Sequence, residues 1–308
     1  MHTSGIAAAL LVTLLATGGA AHAQQDYPTR PIRVLVPFPP AGLADVVARI
    51  VTQKLSESFK QNLVIDNRGG AGGTIATETV VRANPDGYTM ILVTGSYAAN
   101  AAIYKLPYDP INDIAPVITV GEGGNLATVH LSAPVASIKE LIAHDKANPG
   151  KLYYGTSGAG SSTHLATELL QQMAGTRMTH VPYKGTIAAL NDLYGGQIHF
   201  IIGSLPALIL QVRANRLRGI GVTTAKRSAA VPDIAAIAET LPGYEAVNWA
   251  AVWGPKALPR EIVARWNSEI NRILQLPDVK ERLAANGMEP LGGTPEQLRD
   301  LLRRDVAK

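Results

Sequence analysis

Two loops built from small residues carry the strongest chemical signal in the sequence. One runs Pro39-Pro40-Ala41-Gly42 into Leu43-Ala44-Asp45, and the other runs Gly155-Thr156-Ser157-Gly158-Ala159-Gly160-Ser161. Each follows an extended apolar run and leads into apolar residues at helical spacing, so each places exposed backbone N–H groups at a helix start. Unpaired donors and the helix macrodipole favour an anion there, and a carboxylate is the natural guest. Either loop alone reads equally well as a tight turn. Their matched placement in the two halves of the chain argues for a shared binding role, because open α/β sheets hold ligands where strands hand over to helices.

Other chemistries fit less well. Gly158-Ala159-Gly160 has Thr163 where a dinucleotide fingerprint needs its third glycine, and no phosphate-cradling G-x-x-x-x-G-K-[ST] occurs. Gly155-Thr156-Ser157-Gly158-Ala159 lacks the final glycine of an esterase elbow. Ser157, Ser161 and His164 lie close in sequence, which keeps a serine-type hydrolase of small esters as the competing reading, but a triad is defined by geometry. His130, His144, His164, His180 and His199 show no metal-ligand spacing, and there is no cysteine to join them. The expectation is therefore a binding protein with no catalytic residue, metal or cofactor. His164 reads as a brace for loop backbone or equally as a satisfied core histidine, Trp249 and Trp253 read as core rather than ligand stacking, and Arg68 reads as an ion pair fixing the glycine turn rather than as an anion contact.

Elements that position these loops follow from the hydrophobic pattern. Residues 31–38 (PIRVLVPF), 62–65 and 88–93 are expected strands, with helices over 45–59 and 74–83; strand–helix repeats of this kind build a parallel sheet. The pattern restarts with strands over 114–120 and 125–130. A helix over 137–147 opens on Ser137 with Glu140 at its third position, a capping box. Strands over 152–154, 179–183, 197–202 and 217–222 then alternate with helices over 163–173, 186–193 and 206–214. The remainder reads as loops near Pro232 and Tyr244 followed by helices over 260–276, 278–286 and 295–306. The sequence thus predicts an α/β fold in two domains joined by a two-strand hinge. Domain 1 is discontinuous, residues 24–120 plus 223–308, and domain 2 spans 121–222.

The totals agree with this reading. A chain of 308 residues with 46% hydrophobic and 17% charged residues supports more than one buried core. A net charge of +4, spread along the chain, leaves no basic stripe for nucleic acid, and 5% aromatic residues leave few stacking platforms. Residues 1–23 carry an apolar stretch followed by Ala21-His22-Ala23, the pattern of a cleaved signal peptide, although only His2 stands where a positive end is usual. Without cysteine there is no lipid attachment point, so the mature chain is expected to be exported, free after cleavage and not inserted in the membrane.

The motifs VPFPPAG (36–42), DNRGGAGG (66–73), PDGYT (85–89), LPYDP (106–110), PGKLYYGTSGAGSSTHLA (149–166), HVPYKG (180–185) and AKRS (225–228) occur together in this chain. With them it resembles the Bug (TctC-like) periplasmic solute receptors of tripartite tricarboxylate transport systems, over nearly the whole mature length. The resemblance implies a two-domain periplasmic binding protein fold of the Venus flytrap kind, closing on an organic acid held by backbone amides. By position it assigns Phe38, Ala41, Gly42, Leu43, Ala44 and Asp45 to the first loop of the site. Thr156, Ser157, Gly158, Ala159 and Ser161 form the second, Ser96 and Tyr97 flank the cleft, and Tyr183 and Gly185 face it. Partners implied are membrane permease subunits; a ligand-sensing role beside a sensor kinase is a further alternative. Two departures stand out: Leu43-Ala44 in a stretch where relatives commonly carry a hydroxyl, and Gly203-Ser204 where they commonly carry Asp-Asn. Both make the cleft less polar and predict a larger or more apolar acid, aromatic or extended.

Overall fold

The computed structural model describes residues 27–307. The expected signal peptide lies outside the described residues. The first sheet begins with β1 (Ile32–Val36), β2 (Leu63–Asn67) and β3 (Thr89–Thr94), all parallel, linked by α1 (Leu43–Phe59) and α2 (Thr74–Val81). After α3 (Ser96–Ile103) the long strand β4 (Ile114–Gly123) leaves this sheet and enters the second one through Gly124. There β5 (Asn125–His130), β6 (Tyr153–Thr156), β7 (Thr179–Pro182), β8 (Phe200–Ser204) and β9 (Leu217–Val222) are ordered β7-β6-β8-β5-β9. Their helices are α4 (Ile138–Ala147), α5 (Ser162–Ala174), α6 (Thr186–Tyr194) and α7 (Leu205–Arg213). The chain returns in β10 (Asn248–Pro255) and closes with α8 (Arg260–Leu274), α9 (Pro277–Ala285), β11 (Met288–Gly292) and α10 (Pro295–Ala307). The first sheet is ordered β11-β4-β10-β3-β1-β2.

Each sheet is covered on both faces. Alternate residues of β1 and β3 divide between two apolar clusters: Val34, Val36, Met90 and Leu92 pack under α1 and α8, while Leu35, Ile91 and Val93 pack with Trp253 and Leu298. Alternation in the second sheet does the same, with Val129, Phe200 and Ile202 on one side and Leu126 and Ile201 on the other. Ser137 accepts the Glu140 N–H, and Glu140 reaches back to the Ala136 N–H, so the expected cap at α4 forms one residue wider than a strict box.

Three elements differ from the sequence expectation. β10 is the central strand joining the parallel and antiparallel parts of the first sheet, and every residue in it is buried. With both faces covered, NWAAVWGP shows no alternation and offers no strand period. β11 is an edge strand interrupted by Pro290, and α3 is only 8 residues long. The return to the first sheet also comes later than Val222. Ile237 and Tyr244 are fully buried against the second sheet, and the Tyr244 hydroxyl donates to the Ala166 carbonyl. Thr223 ties the two crossing segments together: its hydroxyl accepts the Asn125 N–H at 2.7 Å and donates to the Ala246 carbonyl at 2.9 Å.

Candidate functional site

A cavity of about 360 Å³ lies between the two sheets, on the side where their strands hand over to helices. Its first-domain wall is Phe38, Pro39, Pro40 and Gly42 from the β1–α1 loop, Leu43 and Ala44 at the start of α1, Thr94 at the end of β3 and Ser96 beyond it. Its second-domain wall is Ser157, Ser161, Ser162 and Thr163 from the β6–α5 loop, Lys184 to Ala188 at the start of α6, and Asn191 and Ser204. Asn125 and Asn248, each just past a crossing, complete the floor. The starts of α1, α3, α5, α6 and α7 all reach this cavity. Four of them, with Gly42, Gly95, Gly185 and Ser204 at the cap position, have no side-chain cap. Backbone donors and aligned peptide dipoles therefore converge on one space. Lys184 is the one formally charged side chain among the lining residues, and it is exposed at the mouth.

The first loop is braced from behind. Asp45 is 2% exposed and accepts the Ala41 N–H at 2.9 Å, both arms of the Arg49 guanidinium, and the Asn67 amide at 3.0 Å. Burial alone would raise its pKa, but the hydrogen bonds from Arg49, Ala41 and Asn67 outweigh it and hold the carboxyl below its ordinary value. Asn67 also donates to the Phe38 carbonyl, so the DNRGG motif serves the shape of the neighbouring loop. This brace holds Ala41 at φ 65°, a left-handed conformation that costs a residue with a Cβ. Asp45 therefore positions the loop and is not among the residues that line the cavity.

Hydroxyl groups organise the second loop. Ser161 caps α5 by accepting the His164 N–H, and its Oγ lies 2.9 Å from Thr163 Oγ1, which accepts the Ser157 N–H. Ser157 Oγ pairs with Thr186 Oγ1 at 3.0 Å, and Thr186 accepts the Ser204 N–H. Thr156 turns away from the cavity toward His180 Nε2, and His164 Nδ1 accepts the Gly160 N–H, the brace that is one of the two roles the sequence allows it. His164 and His180 stack with centroids 4.1 Å apart. Burial lowers both pKa values, that of His180 to about 4 with help from its neighbour, so both rings stay neutral at pH 7.

Of the residues assigned from sequence, the cavity is lined by Phe38, Gly42, Leu43, Ala44, Ser96, Ser157, Ser161, Gly185 and Ser204. The others support it from outside. Tyr97 is buried against Trp253 and donates to the Pro110 carbonyl, Tyr183 donates to Asp192, and Gly203 lies against Thr186 and Leu208. Gly158 closes the turn that Thr156 holds, while the Ala159 carbonyl accepts the Tyr104 hydroxyl across the cleft at 3.0 Å. The cleft is further bridged by the Ser162 N–H, which donates to Ser96 Oγ at 3.2 Å. Gly185, at φ 135°, packs so close to the Pro39 ring that a Cβ would sit 3.3 Å from it. Sequence reasoning missed Asn125, Thr186 and Asn248 on the cavity wall. Asn125 and Asn248 open strands directly after crossings, a position where a buried asparagine is itself a signal.

Comparisons with known proteins agree with this geometry. Residues 47–308 match the family described as the tripartite tricarboxylate transporter family receptor. BugT of Bordetella pertussis is 34% identical over 313 residues, covering 100% of this chain and 96% of that protein. A Rhodopseudomonas palustris protein solved with adipate is 39% identical, with a TM-score of 0.89 over 92% of this chain and 95% of that one. MatC from the same organism, solved with malate, is 29% identical with a TM-score of 0.85, covering 91% of this chain and 98% of that one.

Proposed function

The chain belongs to the tripartite tricarboxylate transporter receptor family, and from that premise we propose that it is an exported receptor for an extended organic carboxylate. The bound, closed form would then be handed to membrane permease subunits. The observation that carries this reading is the convergence of five helix starts, four of them without side-chain caps, on a cavity whose wall holds one formal charge, Lys184. Such a site neutralises a carboxylate with dipoles and N–H groups. Its volume of about 360 Å³ sits at the small end of ligand pockets, roughly 300–1,000 Å³.

Phe38, Leu43, Pro39 and Ile187 give the cavity an apolar wall, which supports an aliphatic body in the ligand. The greater identity to the adipate-bound structure than to the malate-bound one points the same way. Binding without turnover is supported by the serines. Ser157 is engaged with Thr186 and Ser161 with Thr163 and the α5 backbone, while His164 faces the Gly160 N–H and Glu168.

A thermal-shift panel of mono-, di-, tri- and aromatic carboxylic acids tests the reading. A ligand present at 100 times its Kd stabilises the fold by about 2.7 kcal/mol, so six-carbon aliphatic acids should raise Tm by several degrees. No response from any acid in the panel would overturn the assignment.

A further inference from the structure

The floor of the cavity nearest the crossings holds polar groups without partners among the described residues. Asn125 is 1% exposed, and neither its amide oxygen nor its amide nitrogen has a hydrogen-bond partner among the described residues. Ser204, 7% exposed and directly opposite Asn125 in the β5–β8 pairing, has an equally unpartnered hydroxyl. Both line the cavity. Asn248, which also lines the cavity, commits its amide oxygen to the Gly95 N–H at 3.0 Å. Buried polar groups are normally paired, and leaving a donor or acceptor without a partner carries the full desolvation cost.

We infer that this floor is a second subsite, which reads the far end of the ligand and requires a group there that both donates and accepts hydrogen bonds. The inference rests on the carboxylate reading above, with the acid group held at the loop-side helix starts. Asn125 sets the requirement. Because both of its amide atoms are unpartnered, exchanging oxygen and nitrogen leaves the same demand: one donor and one acceptor from the ligand. A hydroxyl or a carboxamide meets it. An ionised second carboxylate accepts only, so it would satisfy the amide nitrogen and leave the oxygen unpaired. The ligand class assigned is therefore a hydroxy- or carboxamide-terminated monocarboxylate.

Titration calorimetry with four six-carbon acids tests this: hexanoate, 6-hydroxyhexanoate, the monoamide of adipic acid, and adipate at pH 7.5. The hydroxy acid and the monoamide should each bind at least about tenfold more tightly than hexanoate and adipate. In Asn125→Leu that preference should vanish, and in Ser204→Ala, a smaller change that keeps the strand intact, it should fall by about threefold. Melting curves of both variants establish that they are folded. Binding of all four acids with equal affinity, or tightest binding of adipate, overturns the subsite while leaving the carboxylate reading in place. Binding of none overturns both. A preference that survives unchanged in Asn125→Leu and Ser204→Ala also overturns the subsite.

Discussion

At the start of α1, Gly42 leaves the first turn without a side-chain cap, and the polar groups that shape the loop lie behind it, in Asp45, Arg49 and Asn67. At the start of α5, Ser161 caps the helix from the cavity side, and Thr163, Ser157 and Thr186 extend a chain of hydroxyls along the wall. The first loop thus offers bare N–H groups and is braced from outside the site. The second loop offers hydroxyls, several of whose bonds are already committed. On this account the first loop supplies most of the attraction for an anion, and the second shapes the space around the rest of the ligand.

Removing the outside brace should have the largest effect. Asp45→Ala leaves the Ala41 N–H and the Asn67 amide without their carboxylate, and urea denaturation should show a loss of about 3 kcal/mol at pH 7. The pH dependence has a definite sign. A carboxyl whose folded pKa is depressed contributes stability above its unfolded pKa, about 3.9, and loses it as pH falls through the folded value. The stability gap between wild type and Asp45→Asn should therefore be flat from pH 6 to 8 and shrink below about pH 4.

Charge placed directly in the bare turn separates binding from folding. Gly42→Asp adds a negative group at an N-cap whose backbone is extended and has room for a Cβ, where it favours the helix but repels a carboxylate. Tm should hold or rise while carboxylate affinity falls at least tenfold, about 1.4 kcal/mol. Equal affinity for the acid in both proteins would mean that the first loop does not face the carboxylate. The same experiment in the second loop should look different. Ser161→Ala should cost about 1 kcal/mol of stability through the lost cap, with a smaller change in affinity.

How much of this was legible in the sequence follows from the same contrast. The two loops announce themselves through Pro39-Pro40-Ala41-Gly42 and Gly158-Ala159-Gly160, because small residues before a helical period have a local cause and a local pattern. The direction of Asp45 and Tyr183 does not: each is decided by partners distant in sequence or on the next helix, Asn67 and Asp192 among them. Asn125 and Asn248 become cavity residues only because β5 and β10 start at the crossings between the sheets. β10 was illegible for the opposite reason, since complete burial removes the alternation by which a strand is read. Its two tryptophans are core, as the sequence predicts, Trp253 wholly buried and Trp249 donating to Asp305.

The smallest expected effect concerns backbone strain in the first loop. Ala41 holds φ 65° only because Asp45 fixes its N–H, so Ala41→Gly should stabilise the protein by up to about 1 kcal/mol in urea denaturation, with affinity unchanged. A loss of stability would show that the brace carries no strain.

The most direct test of the account is a crystal structure with the tightest-binding acid of the panel. Its carboxylate oxygens should lie within hydrogen-bonding distance, 2.7–3.2 Å, of backbone N–H groups at the start of α1, Leu43 and Ala44 among them. A carboxylate turned toward Lys184 at the mouth, or a ligand outside the cleft, would contradict it.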